Sequence, residues 1–302
     1  MTMSITTPVT TIGISPPRFR LPAQAGVGRV RLVVSDISRS VDYYTQVLGF
    51  IATREQDIVV LSSADGTGLI ELREQRGVRP VPRRGRIGLY HFAILLPDRG
   101  SLGRFVGHLG RLGVYVGSAD HLVSEALYLT DPDGLGIEVY ADRPRTEWRT
   151  NGREIAMATE PLDLPALLRS GGDEPWSEMP PGTTIGHVHF HVPTLSEAEN
   201  FFHHALGFDK VVWSYPGALF FSAGGYHHHV GTNTWAGAAP LATDGDARLL
   251  EWELRVPTAD AVASVAASVA GAGYPVTVDG KDSVISDPSG IKVRVTTEGS
   301  KR

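Results

Sequence analysis

Apolar and polar positions follow the two-residue period of a half-buried strand from residue 27 to residue 34. The stretch Asp36-Ile37-Ser38-Arg39-Ser40 then turns the chain into an amphipathic helix over residues 41–48, closed by Gly49. Strands are predicted next around Val59-Val60-Leu61 and over residues 69–72. This is a β-α-β-β-β unit of roughly fifty residues, and its grammar returns along the chain. The second unit opens with Leu89-Tyr90-His91-Phe92-Ala93-Ile94-Leu95-Leu96-Pro97 and has a helix over 102–112 capped by Gly113. It ends in strands at 126–129 and 136–140, joined by the turn Asp131-Pro132-Asp133-Gly134. The third opens at Ile185, has a helix over 197–206, and ends in strands at 218–222 and 227–233. The fourth opens over 249–256, has a helix over 259–270, and ends with Asp287-Pro288-Ser289-Gly290 and a strand at 291–295.

Two echoes order the repeat. Val47-Leu48-Gly49-Phe50 and Ala205-Leu206-Gly207-Phe208 mark units one and three, and the two Asp-Pro-x-Gly turns mark units two and four. The predicted fold class is therefore α+β, with four βαβββ modules in two tandem domains. An N-terminal arm (1–24), broken by Pro8, Pro16, Pro17 and Pro22, is expected to lie on the surface. The first domain would span 25–145, a linker 146–182, and the second domain 183–300. The linker is rich in Pro, Gly, Glu and Arg, with a short helix predicted at 164–168.

A chain of 302 residues suits two domains. The net charge of −5, with both signs spread along the chain, argues against nucleic acid and membrane surfaces as partners. No apolar run is long enough to span a bilayer, and the polar N-terminus has no signal-peptide pattern, so a cytoplasmic location is expected. The absence of cysteine excludes disulfides and Cys-ligated zinc. Any metal must be held by His and carboxylate, which suits non-haem iron, manganese or zinc.

Chemistry gathers at Gly186-His187-Val188-His189-Phe190-His191-Val192-Pro193. A strand here puts His187, His189 and His191 on one face. Three unpaired imidazoles in an apolar core would be costly, so a polar cavity or a metal site explains them better than packing does. A solvent-wetted strand face is the plainer alternative.

The four modules resemble the vicinal oxygen chelate superfamily of glyoxalase I, bleomycin-resistance proteins and extradiol dioxygenases. Residues 88–97, 124–144 and 217–235 are similar to its catechol 2,3-dioxygenase branch. The resemblance implies that two modules curl into a cup holding a divalent metal, with ligands from the first and last strands of each. The first-strand slots then hold Arg29, His91, His187 and Glu251. The last-strand slots hold Glu71, Glu138, one of His227, His228 and His229, and Arg294. Ring-cleaving iron enzymes need two His and one carboxylate on one face of the ion. Only modules two and three together offer such a set, His91, His187 and Glu138. Module two is therefore expected to face module three, and module one to face module four. This resembles the permuted pairing of some hydroquinone-cleaving relatives. Arg29, Glu71, Glu251 and Arg294 would then form an ion-pair network in place of a second metal.

The resemblance also implies the remaining groups. A Tyr ten residues before the carboxylate ligand falls on Tyr128, and a further His on His121. The acid/base His falls in His227-His228-His229, with His229 preferred and His228 second. Asn233, Trp235 and Tyr226 would line the cup around substrate, and His189 and His191 would stand behind the ligands. Together these imply an Fe(II)-dependent extradiol dioxygenase acting on a catechol-type aromatic diol and dioxygen. The same ligands also suit Mn(II). The alternatives are a glyoxalase-like isomerase or lyase, which needs a fourth protein ligand, and a metal-free small-molecule binding protein. A homo-oligomer is one form the resemblance implies.

Overall fold

The computed structural model describes residues 12–83 and 85–297. The first eleven positions of the predicted arm and the last residues of the predicted second domain lie outside the described residues.

Each module begins with a strand that lies parallel to the module's last strand. Module one contains β1 (Gly26–Val34), α1 (Ile37–Gln46), β2 (Ile51–Glu55), β3 (Ile58–Ser62) and β4 (Gly68–Glu74). Module two contains β5 (Gly88–Leu95), α2 (Arg99–Leu112), β6 (Gly117–Asp120), β7 (Ser124–Thr130) and β8 (Gly136–Asp142). The linker carries a short hairpin, β9 (Thr150–Asn151) and β10 (Glu154–Ile155), and α3 (Leu164–Ser170). Module three contains β11 (Thr184–His191), α4 (Leu195–Ala198), β12 (Asp209–Val212), β13 (Ala218–Ser222) and β14 (Val230–Asn233); α4 runs on as π-helical turns over Glu199–Ala205. Module four contains β15 (Arg248–Val256), α5 (Ala259–Gly271), β16 (Val276–Asp279), β17 (Asp282–Ser286) and β18 (Lys292–Thr297).

The modules pair across the chain. One eight-stranded sheet has the order β12-β13-β14-β11-β5-β8-β7-β6 and joins modules three and two. The other has the order β16-β17-β18-β15-β1-β4-β3-β2 and joins modules four and one. Each seam is an antiparallel pair of first strands, β5 with β11 and β1 with β15. The central strands of the two sheets pack against each other, β1 on β11 and β15 on β5. One continuous apolar core results, with Phe92, Phe105, Phe190, Phe202 and Trp252 fully buried in it.

The repeat holds at the level of single atoms. In the module-two turn, Asp131 Oδ1 accepts from the amides of Asp133 (2.9 Å) and Leu135 (2.8 Å). In the module-four turn, Asp287 Oδ1 accepts from Ser289 and Ile291, each at 2.8 Å. Both helix ends marked by the other echo close on a left-handed glycine, Gly49 (φ 85°) and Gly207 (φ 89°). Each is followed by a Phe amide that reaches six residues back, Phe50 to Tyr44 O and Phe208 to Phe202 O.

Several strands have no counterpart in the periodicity. β2 is exposed at all of its residues, and edge strands β6, β12 and β16 are short. β2 presents no buried face, and the four residues of each of the others, largely buried β12 included, are too few for a period to show. The predicted strand over 227–233 is also shorter. Residues 227–229 precede β14 and follow two left-handed glycines, Gly224 and Gly225, so the period-two rule does not govern them.

Candidate metal centre

His91 on β5, Glu138 on β8 and His187 on β11 come together on the concave face of the first sheet. Pairing places them: Ala93 is level with Glu138 on one side and His187 on the other, and His91 lies two residues before Ala93 on the same face. The small Ala93 side chain leaves the space between the three donors open. Glu138 Oε2 stands 3.0 Å from His91 Nε2 and 3.2 Å from His187 Nε2. All three residues are buried. His91 Nε2 is off-line for a hydrogen bond, and both nitrogens of His91 and Nδ1 of His187 are buried without a hydrogen-bond partner.

Burial pushes the Glu138 carboxyl up, but His187 and His91 outweigh it and hold it well below the usual carboxylate range. Burial pushes His187 down to about 4, against the attraction of Glu138. At neutral pH an ionised carboxylate therefore faces a neutral His187. Orphaned buried polar atoms cost about 1–3 kcal/mol each. A divalent cation would satisfy them, and two imidazoles with one carboxylate fit such an ion.

The fourth slot of this cup is empty of any donor. In module two the last-strand ligand is level with the residue two beyond the first-strand ligand. In module three that level holds His189 and, beside it on β14, Gly231. A Cβ at Gly231 would stand 2.8 Å from His189 Cγ, so the His189 ring takes the room a fourth ligand would need. The last-strand slot of module three is thus Gly231, and none of His227, His228 and His229 fills it.

Beside the triad lies a cavity of about 300 Å³. His121, Tyr128, His189, His228, Phe220 and Trp235 line it, together with Met157 and Thr159 from the linker. Tyr128 sits directly opposite Glu138 across β7 and β8. Its hydroxyl is 2.6 Å from His121 Nε2, and His121 Nδ1 is 2.7 Å from the Ala158 carbonyl. A carbonyl only accepts, so Nδ1 carries the His121 proton and Nε2 accepts from Tyr128. Burial, then Glu138, pushes the Tyr128 hydroxyl well above its usual range, so it stays protonated.

The profile described as Glyoxalase/Bleomycin resistance protein/Dioxygenase superfamily matches residues 26–139. A catechol-2,3-dioxygenase of Bacillus subtilis (strain 168) is 42% identical over 267 residues, covering 87% of this chain and 93% of that protein. The chain belongs to this superfamily. A solved Bacillus subtilis structure, provisionally described as a dioxygenase, shares the superfamily fold with a TM-score of 0.64 at 14% identity, over 93% of this chain and 87% of that one. Glyoxalase I from Zea mays matches with a TM-score of 0.52 at 16% identity, over 90% of this chain and 92% of that one.

Of the other residues expected in the superfamily's cup, His228 and Trp235 line the cavity, whereas His229, Asn233 and Tyr226 do not. His229 lies outside the cavity: its Nδ1 accepts from the Ala223 amide at 3.2 Å and its ring packs on Tyr226 and Phe208. His228 is the member of the triplet inside, its ring centroid 4.0 Å from that of His187. Asn233 is fully buried behind the cavity and does not line it. Its amide Nδ2 donates to His189 Nε2 (3.0 Å), and its Oδ1 accepts from His191 Nδ1 (2.6 Å) and the Trp235 amide (3.0 Å). Tyr226 is also set back, bonded to Tyr140 (2.7 Å) and Asp142 (3.2 Å). Trp235 stands half-exposed at the mouth, edge-on to Tyr90.

The equivalent cup of the second sheet holds no histidine. Arg31, Glu71, Glu251 and Arg294 line it. Arg29 occupies the expected slot, but its Nε donates to the Gly68 carbonyl at 3.3 Å and its guanidinium stays 4.0 Å from Glu71. Arg31, two residues on, reaches both Glu71 (2.8 Å) and Glu251. Arg294 closes the network on Glu251 at 2.6 Å. A guanidinium thus stands where a metal would.

Proposed function

We propose that the protein is an Fe(II)-dependent extradiol ring-cleaving dioxygenase acting on a catechol-type aromatic diol. The observation that carries this reading is the three-donor cup, His91, His187 and Glu138, with glycine at the fourth slot. Glyoxalase-like chemistry calls for a fourth protein ligand, and the metal-free alternative leaves buried imidazole nitrogens without partners. The Bacillus subtilis relative named catechol-2,3-dioxygenase supports the same reading.

His91, His187 and Glu138 would hold the ion. Bound iron(II) would bind the diol and dioxygen together and pass electrons from the diol to dioxygen; Mn(II) suits the same donors. The chain's own groups handle protons. His228, which burial and then His187 keep well below the usual imidazole range, is neutral and can accept a proton from a diol hydroxyl. Tyr128 gives its one proton to His121 Nε2, so its hydroxyl oxygen faces the cavity as an acceptor for a substrate O–H, with His121 behind it fixing that orientation. Linker residues Met157 and Thr159, with Trp235, wall the ring in and exclude water.

The test is to load the purified chain anaerobically with iron(II), add catechol and admit air. A yellow ring-opened semialdehyde is expected from wild type and absent from His187→Ala. Iron bound without any product from catechols or hydroquinones would overturn the dioxygenase reading.

A further inference from the structure

A hydrogen-bonded chain runs from partly exposed Asp142 through buried His227 to His228 at the cavity, beside the three-donor set and not part of it. Asp142, at the end of β8, places Oδ1 2.8 Å from His227 Nε2. His227 Nδ1 lies 2.7 Å from His228 Nδ1. His228 lines the cavity, and its remaining nitrogen is Nε2. His227 is fully buried, and the Tyr226 hydroxyl braces Asp142 at 3.2 Å.

We infer that Asp142 and His227 are positioning residues that lock His228 in the tautomer with a bare Nε2 facing substrate. With His227 neutral, the deduction follows from donors and acceptors. An ionised carboxylate only accepts, so His227 Nε2 carries a proton. Neutral His227 then has a bare Nδ1, which accepts from His228 Nδ1–H. His228 Nε2 is left without a proton. When a diol hydroxyl gives its proton to Nε2, one N–H bond forms and one O–H bond breaks. The imidazolium keeps its Nδ1–H on His227, with the Asp142 charge beyond it. Without this chain, His228 could equally carry its proton on Nε2 and present a donor to the diol. Hydrogen-bond partners that fix the tautomer of a functional histidine typically contribute about 10–100-fold.

This inference rests on the proposed role of His228 only for its kinetic consequence. Its primary test needs no turnover. ¹⁵N NMR of histidine-labelled, metal-free protein reads the tautomer directly. Wild type is expected to show a pyridine-like His228 Nε2 and a pyrrole-like His228 Nδ1. Asp142→Asn, whose amide can donate to His227, should shift His228 towards the opposite tautomer, and Asp142→Glu should restore the wild-type pattern. In iron-loaded protein, Asp142→Asn should lower kcat roughly 10–100-fold with KM changed less than about threefold. A pyrrole-like Nε2 on His228 in wild type would overturn the inference, even if Asp142→Asn fails to fold. So would a folded Asp142→Asn with an unchanged tautomer. A protein that shows the expected tautomer but cleaves no diol leaves the relay standing and refutes the dioxygenase reading instead.

Discussion

Glu138 is the residue on which the cup turns, because its carboxylate alone reaches imidazoles from both halves of the chain. Glu138→Gln keeps its size and removes its charge. Wild type, at iron(II) or manganese(II) a hundredfold above Kd, should gain about 3 kcal/mol of stability by mass action. Anaerobic thermal denaturation of Glu138→Gln should show no such gain at the same metal concentration. An equal shift in both proteins would exclude this carboxylate as a ligand. At this scale the sequence was informative wherever a side chain sat on a regular strand. His91, Glu138 and His187 converge as their strand positions imply. It misled at His229, because two glycines turn the chain before β14 and reverse which imidazole faces inward. It also gave no sign that Asn233 would clamp two histidines, a contact made across neighbouring strands.

Among the elements, the paired Asp-Pro-x-Gly turns carry a pH signature. Asp287 is buried, and burial pushes its carboxyl up to about 7 despite the amides that donate to it. A raised carboxylate contributes its stability in full below the unfolded value, near 4, and loses it as pH rises to about 7. Stability should therefore fall across that window by up to about 1.4 kcal/mol per pH unit on account of this group. Asp287→Asn keeps the Oδ1 acceptor and does not titrate, so the difference between the two proteins in chemical denaturation should grow from pH 4 to pH 7 and then level off. A difference constant with pH would show that Asp287 is not raised. The turns themselves were legible, since Asp, Pro and Gly each have a fixed task in them. The linker was not. Its composition marks only a linker with a short helix, yet Met157 and Thr159 wall the cavity and the Ala158 carbonyl orients His121. Irregular segments have no period from which contacts can be inferred.

Across the whole molecule, two cups of the same topology carry different side chains. The first sheet sets out imidazoles and a carboxylate, and the second fills the same place with Arg31 and Arg294. Glu251→Ala should therefore leave metal binding and any ring cleavage intact while destabilising the fold by about 1–3 kcal/mol, because Arg31 and Arg294 each lose one buried partner but keep another, Glu71 for Arg31 and Asp282 for Arg294. Metal titration and chemical denaturation of this variant measure the two effects separately. Loss of metal binding in a folded Glu251→Ala would refute the assignment of the metal to modules two and three. The sequence by itself determined the four repeats, the order of elements in each, and the donor types that each first and last strand presents. It even implied which modules pair, because only one pairing completes a set of ligands. Tertiary structure alone decided that Arg31 displaces Arg29, that His228 enters the cavity, and that Asp142 and His227 stand behind it. The physical reason is range. Periodicity records which face of an element is buried, whereas these contacts depend on register across the seams and on side chains brought together from distant parts of the chain.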